Sequence, residues 1–174
     1  MGGPRRIALI GFTGVGKTTA ADHLCRAHGF EIASTGAMCR RVSGLVFGNE
    51  DKANLYSLTD ALQTIDRAIF LKAALRELHG TDAIVIDALR YHQDYEYALS
   101  EGFHLVRIQA PIPLRLRWLA DRGQGFDLTV DGTHPSETEL SDVSVHTTIL
   151  NDGSKDQLLK QIEHLVMQDG SPTS

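Results

Sequence analysis

Short apolar runs alternate along the chain with longer stretches in which apolar residues recur at helical spacing. Ile7-Ala8-Leu9-Ile10 is an unbroken apolar run, the pattern of a strand buried on both faces. A helix is predicted next, from about Thr18 to His28, and Phe30-Glu31-Ile32-Ala33 reads as a second, weaker strand. Leu58, Leu62, Ile65, Ile69, Leu71, Leu75 and Leu78 then predict a helix over 58–78, with Gly80 as its stop signal. Ala83-Ile84-Val85-Ile86 is a third strand running into Asp87, and Leu105-Val106-Arg107-Ile108 is a fourth. Pro113 suits the first turn of the helix that follows. His146 to Leu150 makes a fifth strand, and Asn151-Asp152-Gly153 turns the chain into a last helix carrying Leu158, Leu159, Ile162, Leu165 and Val166.

Strand and helix in this order imply right-handed crossovers and a parallel sheet covered on both faces. The expected fold is therefore α/β: three layers, with a five-stranded parallel sheet and helices on both faces. Two stretches fit neither strand nor helix. Val42 to Tyr56 contains Gly44, Gly48 and Asn49 and is expected as an irregular excursion between helices. Gly123 to Ser141 holds three glycines and Pro135, and a loop of that length in a compact domain is expected to act as a flap or lid.

Gly11-Phe12-Thr13-Gly14-Val15-Gly16-Lys17-Thr18 satisfies G-x-x-x-x-G-K-S/T in full, after a buried strand and before a helix. Glycines let successive N–H groups turn inward into a concave anion nest, and the positive end of the helix adds to it. This P-loop places Lys17 on the β- and γ-phosphates and the Thr18 hydroxyl on Mg2+; the expected fold is thereby a P-loop NTPase fold. The motif alone does not separate kinases from GTPases, ATPases or regulatory binders. Asp87, at the end of the third strand, is placed as a metal-proximal acid, a role compatible with the alternative of a helix N-cap.

Composition narrows the field. Among 174 residues, 17 Lys+Arg against 22 Asp+Glu give a net charge of −5, against a general nucleic-acid binder, which needs a basic face. No apolar run approaches the roughly 20 residues of a membrane span, and the apolar run after Arg5 and Arg6 is too short for a secretory signal. Cys25 and Cys39 have neither disulfide-framework nor zinc spacing. His23, His28, His79 and His164 stand at scattered helix positions without metal-ligand spacing and read as structural or exposed. The expectation is a cytoplasmic protein, monomer or homodimer, whose partners are small nucleotides rather than nucleic acid or membrane.

Further along, Ile32-Ala33-Ser34-Thr35-Gly36-Ala37-Met38-Cys39-Arg40 resembles the Ser-Thr-Gly-Asp-Met-x-Arg segment of adenylate kinases. Asp87-Ala88-Leu89-Arg90 looks like a shortened Asp-Gly-Phe-Pro-Arg segment of the same family. Ala37 departs from the acidic residue of that pattern, and the Gly-Arg and paired-aspartate pattern of the lid is absent. His134-Pro135-Ser136-Glu137, Asp142 and Thr148 to Ser154 look more like the deoxynucleoside monophosphate kinases, and distantly like dephospho-coenzyme A kinase.

This resemblance to nucleoside and deoxynucleoside monophosphate kinases implies transfer of the γ-phosphate of ATP·Mg2+ to a small phosphorylated acceptor. ATP is expected on Gly11, Thr13, Gly14, Val15, Gly16, Lys17, Thr18 and Thr19, with adenine near the Asn151–Ser154 turn, and Mg2+ on Thr18 and Asp87. Thr35, Arg40, Arg90, His134 and Glu137 are expected on the acceptor. Lys17, Asp87, Arg90 and Arg122 are expected to carry catalysis, Arg122 as the lid-hinge arginine of the helix that also bears Arg115, Arg117 and a core-packing Trp118. Residues 1–169 then form a single P-loop kinase domain, with about 36–80 as acceptor-binding helices, about 123–141 as the lid and 170–174 as a disordered tail. The competing readings are a kinase for another metabolite, such as dephospho-coenzyme A, and an NTP-binding regulatory switch.

Overall fold

The computed structural model describes residues 3–167 apart from 79, 130 and 134, so the 170–174 tail and His134 lie outside the described residues. Five parallel strands lie in the order β2-β3-β1-β4-β5. They are β1 (Arg6–Ile10), β2 (Glu31–Ala33), β3 (Ile84–Ile86), β4 (His104–Gln109) and β5 (Thr147–Leu150). Each lies within a residue or two of its predicted run.

Period-two alternation along β1 divides the core. Ile7 and Leu9 face one side, where they meet Ala20, Ala21 and Leu24 of α1 (Lys17–His28) and Leu158, Ile162 and Leu165 of α8 (Lys155–Met167). Ala8 and Ile10 face the other, against Met38 of α2 (Thr35–Phe47), Phe70, Leu71 and Ala74 of α4 (Ile69–Glu77) and Ala98 of α5 (His92–Ser100). The central strand is buried on both faces, which is why its sequence carries no polar alternation.

Two expectations are corrected. Val42–Tyr56 is not irregular: α2 continues to Phe47 and α3 (Lys52–Gln63) begins five residues later. Gly44 sits inside α2, and the true stop is Gly48, whose left-handed φ of 74° lets its N–H bond Gly44 O. The 58–78 periodicity is not one helix either. Thr64 Oγ1 donates to Ala61 O at 2.6 Å, and Asp66 Oδ1 accepts the Ala68 N–H at 2.9 Å. These side-chain bonds replace helix bonds and break the run between α3 and α4.

The remaining elements are α6 (Ile112–Asp121), a 3-10 turn (Asp131–Thr133) and α7 (Pro135–Thr138), the last two inside the expected lid. Arg107 of β4 ties the end of that lid down, donating to Leu140 O at 2.9 Å and Val143 O at 2.8 Å. Among the described residues no helix is long and apolar enough to cross a membrane.

Candidate active site

Strand β1 is the centre of the sheet, with β3 on one side and β4 on the other. The crossovers therefore leave β1 and its neighbours in opposite directions, which opens a crevice at their carboxyl ends. The P-loop fills that crevice. At Gly11, φ is +149° and a Cβ would lie 2.3 Å from Ile108 O, so β4 passes too close for any side chain. At Gly16, φ is +105° and a Cβ would meet Asn151 Nδ2 and Leu158 Cδ2, each at 2.9 Å. Buried Asn151 donates to Val15 O at 2.9 Å, so the turn after β5 braces the loop from behind.

Lys17 is only 8% exposed. Its Nζ donates to Gly11 O at 2.6 Å and Phe12 O at 2.8 Å. Burial, then the Arg90 charge, lower its pKa to about 7, with Arg115 adding to the fall and Glu137 and Asp87 opposing it. A polyphosphate beside this ammonium would supply the negative charge that burial has removed.

The nest already holds an anion. The Glu137 carboxylate accepts the Thr13 N–H at 2.6 Å through Oε2 and the Thr13 hydroxyl at 2.6 Å through Oε1. Arg90 donates to the same Oε1 at 2.6 Å, and the Glu137 side chain is 5% exposed. Burial alone would lift this carboxyl's pKa; the Thr13 bonds and Arg90 outweigh it and hold it below the usual range. Arg115 supports the loop from the other side, its Nε donating to Thr13 O at 3.0 Å and its guanidinium 4.8 Å from the Phe12 ring centre.

Two cavities flank the P-loop and share it as a wall. One, of about 390 Å³, is lined by Gly14, Gly16 and Thr19 together with Trp118, Arg122 and the Asn151–Ser154 side of the site. The other, of about 750 Å³, is lined by Thr13, Arg90 and Glu137 and by Thr35, Arg67 and Asp94, with Tyr56, Phe70, Tyr91 and Phe126 as its aromatic surfaces. Asp94 is 4% exposed. Burial raises its pKa to about 7 against the N–H groups of Arg90 and Tyr91, with Glu139 and Asp66 adding to the rise.

Residues 7–128 match the AAA domain family, a span that runs from β1 through the P-loop to the residues after α6. The chain belongs to the AAA domain family. A UPF0200 protein from Methanothrix thermoacetophila is 29% identical over 126 residues, covering 71% of this chain and 69% of that protein. Among solved structures, TT1252 from Thermus thermophilus aligns with a TM-score of 0.62 at 19% identity, over 94% of this chain and 96% of that one. A gluconokinase from Sinorhizobium meliloti 1021 aligns at 0.59 and 14%, over 94% of each chain. Shikimate kinase from Acinetobacter baumannii, solved with shikimate, aligns at 0.55 and 22%, over 91% of this chain and 90% of that one. The fold is a kinase-like P-loop fold.

Within this AAA domain the expected nucleotide residues Gly11, Thr13, Gly14, Val15, Gly16, Lys17, Thr18 and Thr19 form one continuous loop and helix start. Asp87 follows β3, and its charge acts directly on Lys17. Burial raises its pKa, opposed by a bond from Ser34, the Ala88 N–H and the charges of Arg90 and Lys17. With the exposed Thr18 hydroxyl it offers the hard oxygen donors that suit Mg2+.

Thr35 and Arg90 line the larger cavity as expected, but Arg40 does not. Its side chain is 53% exposed and lies 4.0 Å from Glu50. Arg40 stands one turn after Gly36, at the margin of the arc through Thr35, Gly36 and Cys39 that faces the cavity, with its guanidinium beside Gly36. Arg67, between α3 and α4, lines the cavity itself. Its position depends on the break at Thr64–Ala68, which the periodicity hid.

Glu137 reaches the cavity from α7 but bonds the P-loop. Arg122 lines the smaller cavity, donating to Trp118 O at 3.0 Å, while Arg115 is the arginine of α6 bonded to the loop. Trp118 is part of the cavity wall, not of the core. Arg67 and Asp94 carried no motif, and no local pattern marked them; Arg115 was marked only by sharing a predicted helix face with Arg122, two turns on.

Proposed function

We propose that this AAA domain is an ATP-dependent phosphotransferase that moves the γ-phosphate of ATP·Mg2+ to a nucleoside or deoxynucleoside monophosphate. The observation that carries this reading is the shared wall: one P-loop lines two cavities, with Arg90 and an already bound carboxylate at the border. The smaller cavity takes the ATP nucleoside against Trp118. The larger takes the acceptor, its phosphate on Arg67 and Arg90, whose planar forks match phosphate oxygens, and its base among Tyr56, Phe70 and Phe126.

Little covalent chemistry is then asked of the protein. Lys17 and Arg90 hold and neutralise the charge that spreads over the transferred group. Mg2+, held by Thr18 and Asp87, would supply further neutralisation of the phosphate oxygens. The acceptor phosphate is already ionised and needs no general base. Packing of the lid over the loop excludes water.

A second reading is an alcohol-bearing acceptor, and Asp94 favours it. A buried carboxyl with a pKa of about 7 in the acceptor cavity is suited to take a hydroxyl proton. The gluconokinase and the shikimate kinase are named for acceptors of this kind.

A coupled assay for ADP over ribo- and deoxynucleoside monophosphates, shikimate, gluconate and dephospho-coenzyme A separates the two. Stimulation by monophosphates is the expected result, with Lys17→Ala lowering turnover by about a hundredfold or more at unchanged fold. ATP hydrolysis as fast without any acceptor as with the best one would overturn the transferase reading in favour of a regulatory NTP binder.

A further inference from the structure

Three groups outside the nucleotide site converge on one point. His23 and His28 lie on α1 and Glu163 on α8, so helices from opposite ends of the chain supply them. His23 Nε2 is 2.5 Å from Glu163 Oε1, and His28 Nε2 is 3.0 Å from the same oxygen. The two rings meet edge to face at 5.9 Å between centres, and all three ligand atoms lie within 4.8 Å of one another. Each side chain is between a fifth and a third exposed, so an ion can reach them and water can complete its shell.

We propose that His23, His28 and Glu163 form a binding site for a zinc-class divalent metal ion that ties α1 to α8. The donor set decides the class. Two neutral imidazoles and one carboxylate suit Zn2+ and its neighbours, whereas Mg2+ and Ca2+ take oxygen shells. Metal–ligand bonds of about 2.0–2.2 Å place tetrahedral ligand atoms about 3.3 Å apart, so the contacts at 2.5 and 3.0 Å need to open by less than about 1 Å.

Local charge points the same way. His28 is the last residue of α1, at the negative end of the helix dipole. The site stands apart from the Thr18–Asp87 pair. Eleven residue steps along α1 separate Lys17 from His28, about 17 Å. Local spacing did not reveal it, because His23 and His28 are five apart and the third ligand comes from the other end of the chain.

Calorimetric titration of the EDTA-stripped, desalted full chain with Zn2+ tests the proposal, with Mg2+ as the comparison. The expected result is one equivalent of Zn2+ and a Zn2+-dependent rise in the thermal midpoint. His28→Gln, His23→Gln and Glu163→Gln should each weaken binding at least about tenfold, while Trp118 fluorescence still reports nucleotide binding. Co2+ should give visible absorption in the native chain that the variants lose.

A measurement without variants runs beside these: Zn2+ should protect both His23 and His28 from diethylpyrocarbonate, read by peptide mass. Absence of Zn2+ binding, equal binding by a His23→Gln/His28→Gln double variant, or modification of the two histidines unaffected by Zn2+ would each overturn the proposal.

Discussion

Replacing Glu137 with alanine removes the carboxylate bonded to the P-loop at Thr13. Its carboxylate takes both the N–H and the hydroxyl of Thr13 at 2.6 Å and also engages Arg90. On the proposed reading, a nucleotide phosphate that takes the Thr13 N–H displaces this carboxylate. Hydrogen bonds to a charged group contribute about 1.5–3 kcal/mol each. If displacement costs the net worth of one such bond, the native chain binds nucleotide about tenfold to a hundredfold more weakly than a chain with an open nest.

Glu137→Ala is therefore expected to lower the Kd for ATP by that factor. Trp118, the only tryptophan, lines the neighbouring cavity and gives a direct fluorescence titration, with calorimetry as the independent measure. Mild acidification should not imitate the variant, because Thr13 and Arg90 hold the Glu137 carboxyl below its usual range despite burial. A Kd for Glu137→Ala equal to or weaker than that of the native chain would refute the reasoning.

Other consequences concern charge. Burial and the Arg90 charge hold the Lys17 pKa at about 7, and a bound polyphosphate would restore its ammonium. ATP binding should take up a large part of a proton at pH 8 and far less at pH 6, read from calorimetry in buffers of different ionisation enthalpy. An enthalpy independent of buffer at pH 8 would count against it. Asp94, with its pKa raised to about 7, binds more protons in the folded than in the unfolded chain between about pH 4 and 7. Stability should accordingly fall as pH rises through that window, and Asp94→Asn should remove the fall, worth up to about 4 kcal/mol at pH 8. Denaturant melts at pH 5 and pH 8 check both signs. Finally, Arg67→Ala should raise the KM for the preferred acceptor by about tenfold or more, while Arg40→Ala, on an exposed helix face, should change it by less than about threefold. The reverse ranking would return Arg40 to the acceptor.

What could be read along the chain was whatever depends on neighbours in sequence. The buried strand Ile7–Ile10 and the P-loop after it form a continuous segment, and their chemistry lies in backbone N–H groups that glycine spacing alone arranges. Strand order in the chain, with right-handed crossovers, then implied a parallel sheet and left the loop at its carboxyl edge.

Tertiary structure decided everything that depends on where two distant segments meet. Two side-chain bonds at Thr64 and Asp66 break a helix that its apolar period still describes, and the break sets Arg67 in the wall of the larger cavity. Glu137 finds Thr13 across 124 residues, and Glu163 finds His23 across 140. Hydrophobic period reports which face of an element is buried, but not which polar side chains from other elements its ends will meet. Those meetings are set by packing angles and loop paths, and they are where the electrostatics of this site arise.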